Sequence, residues 1–203
     1  MEPVSSIITV ADSLESLSPS DIFSSIRHLN VDVGCGKGRF LLAKAAANHD
    51  VNFLGIDRRL KRIQKVDRKV TRAGLGNVRL ICMDAFRVIE LLPAESVSVF
   101  FMFFPDPWPK RRHHGRRLFS QPFLDLILRA LLKDGVIHVA TDHEDYFRAI
   151  CAGFRSDTRF GEEPPYEFTP EERTEFDIVF TGLNARIGRC AFRKIGGLPP
   201  PSQ

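Results

Sequence analysis

Four aspartates, Asp32, Asp57, Asp84 and Asp106, each stand where an apolar run gives way to polar residues. A carboxylate in such a place can accept hydrogen bonds from hydroxyl or amine groups, or stabilise positive charge developing on a ligand. The first lies in VDVGCGKGRF. There Gly34, Gly36 and Gly38 make a turn that lets a ligand approach the backbone, ahead of a helix whose first N–H groups are free. The fourth lies in FFPDPWPKRRHHGRRL, residues 103–118. Pro105, Pro107 and Pro109 remove backbone donors and fix φ, so this stretch reads as a rigid loop beyond a buried strand ending at Phe104. The run that follows, Lys110, Arg111, Arg112, His113, His114, Arg116 and Arg117, carries charge suited to phosphate. Trp108 either stacks on a base or packs under its own loop.

The elements that must position these residues alternate between strand and helix patterns. Val31–Val33, Val51–Ile56, Val78–Met83, Val97–Phe104 and Val136–Ala140 read as strands. Between and after them, Phe40–Ala47, Arg58–Arg72, Ala85–Leu92, Phe123–Leu132 and His143–Phe154 read as helices. In Arg58–Arg72, Leu60, Ile63, Val66 and Val70 fall on one side. The continuous apolar run at Val97–Phe104 is the kind buried on both faces of a parallel sheet. Repeated βα units predict an α/β fold with a doubly wound, mostly parallel, Rossmann-like sheet. Phe176–Thr181 and Ile187–Arg193 read as two more strands, an antiparallel hairpin closing it. Residues 1–29 are expected to form a short, partly disordered N-terminal extension, 30–195 a single domain, and 196–203 a disordered tail.

Composition narrows the class. Of 203 residues, 43% are hydrophobic and 27% charged, which is ordinary globular composition with enough apolar mass for one core. The net charge is only +4, but Arg outnumbers Lys 21 to 8. Arg contacts phosphate bidentately and stacks on bases, a lean toward nucleic acid that a GC-rich genome would equally produce. Cys35, Cys82, Cys151 and Cys190 show no CxxC or Cys/His ligand spacing. They read as reduced thiols in a cytoplasmic protein, with no metal centre. No apolar run suits a membrane span, and Glu2, Asp12, Glu15 and Asp21 against Arg27 are unlike a signal peptide.

The spacing D-x-G-x-G-x-G at residues 32–38 resembles the first motif of S-adenosylmethionine-dependent methyltransferases. The dinucleotide fingerprint G-x-G-x-x-G would need glycine where Arg39 stands. Asp106-Pro107-Trp108 superficially resembles the D-P-P-Y/F loop of amino-directed adenine methyltransferases, with Trp108 for the second proline. The longer string F-P-D-P-W-P-K-x-R-H-H-x-R-R-L closely resembles the signature of bacterial tRNA (guanine-N7)-methyltransferases. The likeness runs along most of residues 30–193. It includes Thr141-Asp142-His143, similar to a T-D element, and Thr174-Glu175-Phe176-Asp177, similar to a T-x-F-E element.

The resemblance implies a methyltransferase sheet, S-adenosylmethionine as cofactor, and tRNA as partner, with guanine 46 of the variable loop as target. It implies that Asp32, Gly34, Gly36, Gly38, Asp57 and Asp84 bind the cofactor and that Asp106 sits between cofactor and base. Lys110, Asp142 and the stretch from Thr174 to Asp177 would contact the tRNA or its guanine. Arg111, Arg112, His113, His114, Arg116 and Arg117 would hold phosphate.

Guanine N7 carries no proton, so the transfer needs positioning rather than a general base. Three departures from the family stand out. The segment before the first strand is short and acidic where the family's is longer and basic, and Asp32 and Asp177 stand where Glu is common. From another class, the alternative is an RNA-binding module that keeps the fold and has lost turnover. A nicotinamide dehydrogenase is a distant third. Arg58, Lys61, Lys65, Arg68 and Arg72 fall at alternating three- and four-residue steps. They form one basic stripe. It reads as a solvent face or as a second RNA contact.

Overall fold

The segment VSVFFMF, Val97–Phe103 (β5), sends alternate side chains to opposite faces: Phe100 and Met102 into the main core, Phe101 and Phe103 into an aromatic layer. A strand covered on both faces belongs in the middle of a sheet flanked by helices. In the computed structural model, described for residues 5–11, 15–107 and 119–196, β5 lies between β2 (Leu29–Val33) and β6 (Leu131–Thr141), parallel to both. From β2 the chain winds away through α2 (Arg39–Ala47), β3 (Asn52–Ile56), α3 (Leu60–Ala73) and β4 (Val78–Ile81). Helix α4 (Ala85–Leu91) brings it back to β5, and α5 (Gln121–Ala130) and α6 (Glu144–Ser156) flank β6.

With β1 (Ile7–Ile8), β7 (Phe160–Glu163) and β8 (Gly188–Lys194), the described residues form one sheet in the order β1-β4-β3-β2-β5-β6-β8-β7. The winding reverses between β2 and β5. In an open α/β sheet that switch point opens a crevice at the carboxyl ends of the strands, the edge on which Asp32, Asp57, Asp84 and Asp106 all fall. The six strands from β1 to β6 are parallel; β8 runs antiparallel to β6 and to β7 and closes the sheet.

Two sequence expectations need correction. Phe176–Thr181 is not a strand: Glu175–Gly182 is a helix (α7), and the closing hairpin is built from β7 and β8 instead. The helix begins where the Thr174 hydroxyl accepts the Asp177 N–H at 2.9 Å, an N-cap that fixes helical rather than extended entry. Within α3, Ile63, Val66 and Val70 are buried as expected, but Leu60 is exposed.

The segment before Asn30 contributes to the sheet and core. Ile7 and Ile8 pair with Leu80 and Ile81, and Leu17, Ile22 and Phe23, in and beside the short helix α1 (Pro19–Ile22), are buried. All four cysteines are free thiols. No helix among the described residues is long and apolar enough to cross a membrane.

Candidate active site

At the switch point the structure opens a cleft of about 440 Å³, within the range of small-molecule sites. Asp32, Gly34, Gly36, Asp57, Asp84, Asp106 and Thr174 all line it. Their convergence comes from the fold, since they are spread over more than 140 positions of sequence.

The glycine turn is fixed from beneath: the N–H groups of Gly34 and Cys35 both donate to the Ile56 carbonyl, at 2.8 and 2.9 Å. Gly34 has φ +80°, and a Cβ built there would meet no protein atom, because that side of the turn is open. Gly38 differs from expectation and does not line the cleft. A Cβ at this position would come within 2.7 Å of Val66, so this glycine lets the turn pack against α3.

Asp32 lies in β2 and is buried. Burial pushes its carboxyl up to about 7, reinforced by the carboxylates of Asp57 and then Glu175. Asp57 follows β3 with both oxygens engaged: Oδ1 accepts the Arg59 N–H at 2.8 Å and Oδ2 meets Arg62 Nη1 at 3.2 Å. Asp84 is the N-cap of α4, its Oδ1 accepting the Phe86 N–H at 3.0 Å. Its side chain is 53% exposed.

Asp106 lies beyond β5 with its side chain 70% exposed. Phe104, two residues earlier, adopts φ +55°, a left-handed conformation rare for an aromatic residue. Its N–H donates to the Ala140 carbonyl at 2.7 Å. The chain therefore turns sharply at the strand end, and Asp106 is aimed back over the cleft. Arg58 spans the mouth, with Nη1 3.7 Å from Asp84 and Nη2 3.6 Å from Asp106.

Helix α7 forms the remaining wall, presenting Glu175, Phe176, Val179 and Phe180. Phe104 packs on the rings of Phe180 and Phe176, with centroids 5.7 and 6.0 Å away. Glu175 and Phe176 fall in the expected Thr174–Asp177 stretch, whereas Val179, Phe180, Arg58 and Arg62 were missed as pocket residues in the sequence. A signal was present, because T-x-x-D before an apolar run has the form of a helix cap.

Asp177, expected at the substrate, does not line the cleft. It is buried, with Oδ2 2.5 Å from Arg173 Nε and Oδ1 2.5 Å from Arg189 Nη2. It thus ties α7 to β8. Arg39, the residue that breaks the dinucleotide fingerprint, donates to the carbonyls of Arg173 and Pro170 and fastens the same segment to α2. Asp142 follows β6 and is half-buried, also outside the cleft lining. Trp108, Lys110, Arg111, Arg112, His113, His114, Arg116 and Arg117 lie outside the described residues. Among the described residues no group of three or more His, Cys, Asp or Glu side chains could hold a metal ion.

The chain matches the family model described as "Putative methyltransferase" over residues 27–187. It is 41% identical over 180 residues to a tRNA (guanine-N(7)-)-methyltransferase of Mycoplasma genitalium, covering 83% of this chain and 85% of that one. A protein of the same name from Rubrobacter xylanophilus is 34% identical over 187 residues, 90% of this chain and 82% of the relative. This chain belongs to the tRNA (guanine-N7)-methyltransferase family. The fold agrees with that membership. The 16S rRNA methyltransferase KamB superposes with a TM-score of 0.63 at 17% identity, over 86% of this chain and 90% of that one. Members of this family are enzymes that draw a methyl group from S-adenosylmethionine.

Proposed function

We propose that this protein methylates N7 of a guanine in tRNA, guanine 46 of the variable loop, with S-adenosylmethionine as donor. The observation that carries the reading is the meeting of Asp32, Asp57, Asp84 and Asp106 with α7 around one cleft at the switch point. The donor set suits the cofactor. A buried carboxylate at Asp32 calls for a cationic partner such as an amino-acid ammonium group, and the open face of Gly34 gives that end room. Asp57, held by two donors, offers its remaining lone pairs to ribose hydroxyls, and Asp84 offers its second oxygen, which makes only a long contact with Arg58, to the adenine amino group.

When bound, S-adenosylmethionine supplies an electrophilic methyl group on a sulfonium centre. The chain's own work is to align the acceptor. Asp106 orients the guanine through its N1–H and amino edge and stabilises the positive charge that the ring acquires as N7 is methylated. Neither Asp106 nor Asp142 removes a proton, because N7 has none to lose. Asp142 and Thr174 contact the substrate from the β6 and α7 sides. Asp177 acts as a positioning residue that sets Thr174 and Glu175 against the cleft. Lys110 and the cations after it hold the RNA backbone, and the reaction runs in the cytoplasm, where tRNA is found.

The test uses purified protein, methyl-labelled S-adenosylmethionine and tRNA lacking the modification. Borohydride reduction and aniline then cleave the chain wherever N7-methylguanosine has formed. Cleavage in the variable loop, absent with Asp106→Ala, is the expected result. Labelled tRNA without that cleavage would assign a different atom or base. Tight tRNA binding without transfer would make the chain an RNA-binding module.

A further inference from the structure

Helix α3 leaves the cleft at its N-terminal end, where Asp57, Arg58, Arg59 and Arg62 line the pocket, and runs down the flank of the sheet. Its buried residues are Ile63, Val66 and Val70. At 3.6 residues per turn, Lys61, Lys65, Arg68 and Arg72 fall within roughly 60° of one another, on the side opposite that buried face. All four are exposed, and none has a carboxylate partner among the described residues. The helix contains a single acid, Asp67. It is already taken by the backbone N–H and hydroxyl of Ser6, at 2.7 and 2.6 Å.

Elsewhere among the described residues several surface cations are paired. Arg148 pairs with Asp145 at 3.0 Å, Arg155 with Glu162 at 2.7 Å, and Arg159 with Asp125 and Asp157 at 2.7 and 2.6 Å. On α3, by contrast, Lys61 and Lys65, and again Arg68 and Arg72, stand four residues apart with like charge, a spacing that is repulsive. Lys61 and Arg62 also sit in the first turn, where the helix dipole disfavours cations. A surface that is unfavourable for the free protein, and continuous with the active site, is organised for a polyanion.

We propose that the outer face of α3 is a docking surface for the tRNA backbone. Lys61, Lys65, Arg68 and Arg72 track the phosphates of the strand leaving the target nucleotide. The stripe spans about 16 Å, from eleven residues of helical rise. That length matches a handful of successive phosphates of one strand. Arg58 connects its upper end to Asp106 at the cleft mouth. The proposal rests on tRNA being the substrate.

The experiment measures tRNA affinity against salt, with methyl transfer in the same preparations, for wild type and for K61Q/K65Q/R68Q/R72Q. The log–log slope should become shallower by about 3, and the KM for tRNA at physiological salt should rise roughly 10- to 100-fold. Turnover at saturating tRNA and affinity for S-adenosylmethionine should stay at wild-type values. Because the four charges repel one another, the variant should melt no lower than wild type at low ionic strength.

A matched pair controls for overall charge. K61Q/K65Q should flatten the slope, while R148Q/R155Q, with the same charge change on α6, should not; equal effects would overturn the proposal. Wild-type protein that fails to bind tRNA would sink the functional reading itself. Wild-type binding with an unaltered quadruple variant would sink the stripe alone. So would a quadruple variant that keeps its tRNA affinity but no longer binds vesicles of anionic lipid, because the stripe would then serve a membrane.

Discussion

The two ends of the cleft are built differently. At the β2–β3 end Asp32 and Asp57 are buried, and the glycine turn between them is bonded to the end of β3. At the β4–β5 end Asp84 and Asp106 are more than half exposed and share one long contact each with Arg58. The first end is complete before any ligand arrives, so its contribution is affinity for a small molecule of fixed shape. The second end is open to solvent, which on the proposed function leaves room for a large acceptor. On the proposed function, the closed end would hold the amino-acid and ribose parts of the donor, and the open end would meet its adenine at Asp84 and the acceptor guanine at Asp106.

Breaking the open end should have the largest effect. Asp106→Ala is expected to lower turnover roughly 10²- to 10³-fold, as for loss of one electrostatic stabiliser. Cofactor affinity should change little. Single-turnover methyl transfer checks this, and a loss below about five-fold would remove Asp106 from the chemistry.

Next comes Asp32, through linkage. Its folded carboxyl titrates near 7, whereas an unfolded aspartate titrates near 4. Below about pH 4 both states hold the proton and the residue is neutral in its effect. Between about 4 and 7 the folded state keeps a proton that the unfolded state releases, so stability falls as pH rises, and above 7 the full penalty applies. Asp32→Asn should therefore be more stable than wild type at pH 8, by on the order of 2–4 kcal/mol, with the gap closing toward pH 4. Thermal melting without cofactor across that range measures it; a gap independent of pH would contradict the burial argument. The same variant should bind S-adenosylmethionine poorly.

Asp57→Ala sharpens the contrast from the closed end. Cofactor affinity should drop by about 1.5–3 kcal/mol, the worth of hydrogen bonds to a charged group. Turnover at saturating cofactor should be largely kept, and equilibrium dialysis beside initial rates separates the two. The smallest effect belongs to Arg58→Ala. Its ion pairs are long and solvent-exposed, so cofactor affinity should shift by less than about 1 kcal/mol. A larger shift by calorimetry would mean that Arg58 touches the ligand.

What could be read from the sequence follows the same division. The buried end is made of local patterns: an apolar strand, a glycine turn and an aspartate at a strand end, each legible from periodicity and spacing. The residues that went astray depend on distant partners. Asp177 looks like a substrate carboxylate until Arg189 in β8 arrives beside it, a tertiary pairing with no local sign. Phe160–Glu163 reads FGEE and has no strand pattern. It becomes one because β8 offers it an edge. In α7, Phe176, Ile178, Val179 and Phe180 offer both alternating and helical periodicities, and only the Thr174 cap decides between them.

Gly38 and Val66 make the glycine turn and the middle of α3 two sides of one wall. There is no slack in that wall: even a methyl group at position 38 would have to displace a buried valine. The inner turn and the middle of α3 are therefore packed as one unit. On the two proposals made above, cofactor and tRNA would lie on opposite sides of this one helix, and the third glycine of the motif is where the two sides touch.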